Sequence, residues 1–181
     1  MAAQVAAELE EIMNRIEKES LPLDSKSLDQ VSQQMAKRFG VKEDEVAIME
    51  VAPSGRFLRF VIPEKLRAVG TIPLSSTTAL AARTVRERRA DVLNNFPVAR
   101  HATVFEGVPL GRGTGESIQK IMSAVILRGN VVVGVVQICR KGASLTEAGP
   151  DFTSRDLSEL QSLNQALSRL LALSPTAQPG S

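Results

Sequence analysis

The sequence predicts an α+β domain built on a central antiparallel sheet. N- and C-terminal helices pack together on one face, and a crossover of loops and helices lies on the other. Three observations predict it. Strand-like apolar runs come in two pairs, near 45–62 and 121–139, each pair joined by a turn. The stretch between the pairs is first helical and then loop-like. Both ends of the chain carry apolar stripes at helical spacing.

In chain order, residues 2–20 are rich in Ala and Glu and free of Gly and Pro, and Val5, Leu9, Ile12 and Ile16 form one stripe. Leu21-Pro22-Leu23-Asp24 breaks this helix. Ser27 with Gln30 reads as a capping box. The helix that follows turns Leu28, Val31, Met35 and Phe39 inward and stops at Gly40. Residues 45–52 and 56–62 form a hairpin around Pro53-Ser54-Gly55. A Ser/Thr cluster after Ile72-Pro73-Leu74 caps a helix over 77–89, and 91–94 is a short strand. From 96 to 116 the chain is loop-like. The strand 121–127 ends at the turn Arg128-Gly129-Asn130. Its partner, 131–139, is almost wholly apolar, as in a strand covered on both faces. A closing helix carries Leu160, Leu163, Leu167 and Leu170. The expected division is an N-terminal packing or dimerisation helix over 1–24, the domain over 25–173 and a disordered tail over 174–181.

At 181 residues the chain suits one domain with flanking segments. With 43% apolar residues but only 3% aromatic, and no Trp or Tyr, the core is aliphatic and offers no base-stacking platform. A net charge of +2 is no footprint for nucleic acid, so no nucleic-acid partner is expected. The N-terminus lacks a basic signal-peptide region. The longest uncharged apolar run, 129–139, is short of the ~20 residues that span a bilayer. The expectation is a soluble, cytoplasmic protein with no membrane contact.

A single Cys139 and a single His101 exclude an internal disulfide, multi-Cys or paired-His metal sites, and Ser-His-Asp or Cys-His catalysis. No acid/base carboxylate pair stands out, so no catalysis is expected. Gly111-Arg112-Gly113-Thr114-Gly115 lacks the spacing and the Lys-Ser/Thr of a phosphate loop and is followed by a strand. Arg83, Arg86, Arg88 and Arg89 gather at a helix end, where cations suit the dipole.

The order of helix, hairpin, crossover, hairpin and helix resembles a GAF domain, the small sensor module of phosphodiesterases, phytochromes and many bacterial regulators. The resemblance covers roughly 27–171. A PAS domain also has a sheet with a pocket, but long helices at both ends fit GAF better. GAF domains of cyclic-nucleotide phosphodiesterases carry an Asn-Lys…Phe-x-x-x-Asp-Glu signature. The matching positions here are Arg140, Lys141, Phe152, Asp156 and Leu157. Lys141, Phe152 and Asp156 fit; Arg140 and Leu157 depart, which argues against cyclic-nucleotide binding. The residues also have a structural reading. Thr153 caps the closing helix with Asp156 at N3, and Phe152 staples onto Leu157. Lys141 is placed to pair with Asp156, an exposed bridge worth below ~1 kcal/mol.

The resemblance implies a ligand between the sheet and the crossover, here 91–115 against the final strands. Asn94, Asn95, His101, Thr114, Ser123 and Gln137 are the polar side chains of that zone. Gln137 interrupts a Val/Ile run, so it either needs a buried partner or sits at an edge. Phe105 and Met122 are the residues that would fill a closed cavity. Some GAF sensors hold haem, and others a bilin; with one His, and no Cys in the loop-rich middle, neither group nor a metal is expected. Cys139 alone does not supply the several cysteines of the GAF-type free methionine sulfoxide reductases. The expected function is a non-catalytic regulatory sensor that homodimerises through its terminal helices. With no output domain expected after the closing helix, it signals through that interface or a partner protein. The alternative is a purely structural dimerisation module with a filled pocket.

Overall fold

A computed structural model describes residues 2–18, 23–68, 70–96 and 117–174. The segment 97–116, with His101, Phe105, Thr114 and the glycine-rich run, lies outside the described residues, as does 175–181 of the expected tail. Six strands form one antiparallel sheet in the order β3-β2-β1-β6-β5-β4. They are β1 (Val46–Val51), β2 (Phe57–Ile62), β3 (Thr71–Pro73), β4 (Asp91–Leu93), β5 (Ser117–Arg128) and β6 (Val131–Gly142). The helices are α1 (Ala2–Lys18), α2 (Ser25–Phe39), α3 (Leu80–Glu87), the single turn α4 (Leu145–Ala148), α5 (Ser154–Ser162) and α6 (Asn164–Ala172).

Both expected hairpins form, and β4 lies where the short strand was read. β5 and β6 extend beyond their apolar centres, because pairing continues through polar residues such as Lys120 and Lys141. β3 was not anticipated. It has three residues, one of them Pro, and forms the edge beside β2, where a missing N–H costs no ladder bond.

Four boundaries differ from the sequence reading. The cap of α2 is Asp24, not Ser27: Asp24 Oδ1 accepts from the Ser27 N–H at 2.9 Å. A carboxylate one turn earlier is the stronger acceptor, and it starts the helix at Ser25. Gln30 instead accepts from Arg15 of α1 at 2.6 Å. α3 begins at Leu80, because the N–H groups of Thr78 and Ala79 both bond to Ser76 Oγ and hold the preceding residues in a turn. The closing helix is two helices, broken at Leu163. Ser174, read as the start of the tail, is buried, and its N–H bonds the Leu171 carbonyl at 3.2 Å.

The sheet divides two cores. On one face, Leu9, Met13 and Ile16 of α1, five apolar side chains of α2, and Leu160, Leu163, Leu167 and Leu170 bury against Ile48, Met122, Ala124, Val136 and Ile138. Each fully buried aliphatic contributes about 1.5–3 kcal/mol. Gly134 of β6 sits under α6, where a Cβ would lie 2.2 Å from the Met49 carbonyl oxygen and 2.5 Å from Leu171 Cδ1. Only glycine permits that approach. On the other face, α3 covers Ala47, Met49, Phe60, Ile121, Val135 and Cys139. β6 is thus covered on both faces, as its unbroken apolar run required.

Candidate functional site

Alternation along β5 and β6 sends Ser123 and Gln137 to the α3 face, where they stand opposite each other in register. Both are 0% exposed. Since β6 is central in the sheet, the edge reading of Gln137 is excluded. Gln137 Nε2 donates to Ser123 Oγ at 3.1 Å, and Ser123 Oγ lies 2.7 Å from Thr84 Oγ1 of α3. Thr84 Oγ1 donates to the Leu80 carbonyl at 2.9 Å. Gln137 Oε1 is buried with no hydrogen-bond partner among the described residues. An acceptor in that condition costs about 1–3 kcal/mol unless something else serves it.

Thr84 was missed by the sequence reading. Its signal was modest: it falls one turn after Leu80, on the face of the helix that also carries Ala81. Met122 was expected beneath the crossover but alternates to the opposite face and packs among the terminal helices. Among the described residues, Phe60 and Phe96 are the aromatics buried on the α3 face.

The remaining candidates separate. The Asn94 amide is engaged with the backbone of Phe152, accepting from its N–H at 2.8 Å and donating to its carbonyl at 2.9 Å. It ties the end of β4 to the start of α5. Asn95 is exposed. His101 and Thr114 lie outside the described residues.

The signature positions form a structural junction. Thr153 and Asp156 make the expected capping box, at 3.1 and 2.8 Å. Phe152 is buried, and Leu157 packs against the same core. Lys141 Nζ donates to the Asp44 carbonyl at 3.3 Å, and its backbone N–H donates to Glu45 Oε2 at 2.5 Å. Arg140 donates to the Phe39 and Gly40 carbonyls at 3.1 and 3.0 Å, and its guanidinium stacks 4.7 Å from the centre of the Phe152 ring. An arginine here serves the C-terminal carbonyls of α2, which an asparagine is too short to do.

The arginines around α3 are engaged locally. Arg83 and Arg89 pair with Asp91 at 3.5 and 3.3 Å. Arg86 donates to the Leu74 and Ser76 carbonyls, and Arg88 to that of Asn130. Among the described residues no group of three His, Cys, Asp or Glu is placed to hold a metal, and no helix is long and apolar enough to cross a membrane. A surface groove runs between α1 and α2 around Glu11, Arg15 and Gln34.

The whole architecture matches solved structures. The GAF domain of an Acinetobacter phosphoenolpyruvate-protein phosphotransferase aligns with a TM-score of 0.67 at 20% identity, over 96% of this chain and 95% of that one. This chain has the GAF fold. The GAF domain of the Coxiella burnetii phosphoenolpyruvate-protein phosphotransferase gives a TM-score of 0.61 at 12% identity, over 91% and 94% of the two chains. The reduced form of fRMsr from Staphylococcus aureus gives 0.53 at 15% identity, over 94% and 95%. No family model matches the sequence, and no curated protein matches it. At these identities the GAF likeness is one of fold alone. The polar chain Thr84–Ser123–Gln137 is read from this chain's own residues.

Proposed function

We propose that this chain is a cytoplasmic, non-catalytic regulatory domain that binds a small ligand on the α3 face of its GAF sheet. The observation that carries the reading is Gln137 Oε1, a buried acceptor at the centre of the sheet without a partner among the described residues. Folds place such a group where a ligand or water serves it, since an apolar residue would otherwise be more stable there. Ser123 belongs to the same site. Pairing of two copies through the terminal helices, or contact with a partner protein, would carry the signal. The apolar stripes of α1 and α6 are already buried within one copy, so pairing would use their outward, charged faces.

The test is a thermal-shift screen against amino acids, organic acids and nucleotides. A ligand present at about 100 times its Kd stabilises the fold by about 2.7 kcal/mol. The expected result is stabilisation by at least one compound, abolished by Gln137→Leu. If nothing stabilises the wild type and Gln137→Leu raises the melting temperature, the structural-module reading replaces this one.

A further inference from the structure

The hydrogen-bond chain on the α3 face has a direction, and the direction specifies a ligand chemistry. Thr84 has one hydroxyl proton and gives it to the Leu80 carbonyl at 2.9 Å. Its oxygen is then left to accept, so Ser123, 2.7 Å away, donates to it. Ser123 must in turn accept, and at 3.1 Å only the NH2 side of the Gln137 amide can donate. Reversing the amide would require the Ser123 proton for Oε1. Thr84 would then have to abandon either Leu80 or Ser123, and one bond of the chain would be lost. Oε1 is therefore the atom left facing away from the chain, and it is an acceptor only.

Resting on the ligand site proposed above, we propose that the group docking against Gln137 is a hydrogen-bond donor, an ammonium or a primary amide, rather than a carboxylate or phosphate. The cross-strand neighbours of Gln137 are Ala47 and Ser123, neither of them cationic. An anion placed there would meet an amide oxygen, with no cation from either of these neighbours to offset its desolvation. A donor instead supplies the partner that Gln137 Oε1 lacks among the described residues. Sites built around a specific hydrogen bond discriminate strongly against analogues that cannot make it.

The experiment is a titration of the ¹⁵N-labelled chain with the isosteric pair propionamide and propionate, and with methylammonium and inorganic phosphate. The reporters are the Gln137 side-chain amide signals, assigned by their loss in Gln137→Leu and Gln137→Met. Propionamide or methylammonium is expected to shift those signals at least about tenfold more tightly than propionate or phosphate. The backbone amide signals of Thr84 and Ser123 should respond in the wild type and in neither variant. If propionate or phosphate binds at Gln137 instead, the site stands and the amide is reversed, which overturns the donor assignment. If none of the four shifts these signals, the ligand site itself falls.

Discussion

Two asparagines in this chain replace missing backbone partners. Asn164 accepts from the Leu127 N–H at 2.7 Å and donates to the Leu127 carbonyl at 3.0 Å, beside the irregularity in the β5–β6 pairing between Ile126 and Leu127. Asn94 treats Phe152 in the same way. The amide of asparagine presents one donor and one acceptor at the spacing of a peptide group, so each clamp satisfies two backbone groups at once. Replacing Asn164 with Ala leaves both unpartnered in a half-buried place. The expected cost is about 1–3 kcal/mol, read as a lower urea midpoint with unchanged slope. An unchanged midpoint would mean that water serves Leu127 equally well.

Helix ends carry the next level of specification. α2 depends on Asp24, whose carboxyl is held below its ordinary pKa chiefly by the hydrogen bonds from Ser27, first the backbone N–H and then the side chain. A depressed folded-state pKa stabilises the fold above the unfolded pKa, and that contribution disappears as pH falls through the folded value. Asn caps a helix nearly as well as Asp but does not titrate in this range. The melting temperature of the wild type should therefore fall relative to that of Asp24→Asn as pH drops from neutral into the acid range. Parallel curves for the two proteins would show that the Asp24 charge contributes nothing. The GAF-type signature belongs to this scale as well: Thr153, Asp156 and Phe152 start α5, while Arg140 and Lys141 fasten β6 to α2 and the Asp44 turn.

Across the whole molecule, α1 is part of the core and not an appendage. Leu9, Met13 and Ile16 are at most 1% exposed, and Arg169 of α6 bonds Glu10, Asn14 and Glu17 along one side of α1. Removing residues 1–18 exposes Leu160, Leu167 and their neighbours. The loss of three buried aliphatics, at about 1.5–3 kcal/mol each, is comparable with the total stability of a typical domain, about 5–15 kcal/mol. The shortened chain should bind ANS and lose its cooperative melt. A shortened chain that melts as cooperatively and as high as the full one would contradict the packing described here. Light scattering of the full chain tests the separate proposal of pairing, where a monomer at high concentration would remove it.

Periodicity, turn residues and caps were enough to read two hairpins, the capping box at Thr153 and the α+β class, because each depends on residues a few positions apart. The same local logic found Gly40 and the turn at Gly129. It misplaced the start of α2, since Asp24 and Ser27 are both competent caps and only the folded geometry selects between them. It could not break the closing helix at Leu163, where the next residue, Asn164, bonds the backbone of Leu127, 37 residues away. Nor could it show that Met122 and Gln137 face opposite sides of the sheet. The composition of the chain and its local patterns determined which elements form. Strand order and register decided which side chains meet, because Thr84, Ser123 and Gln137 become neighbours only when α3 settles on paired strands.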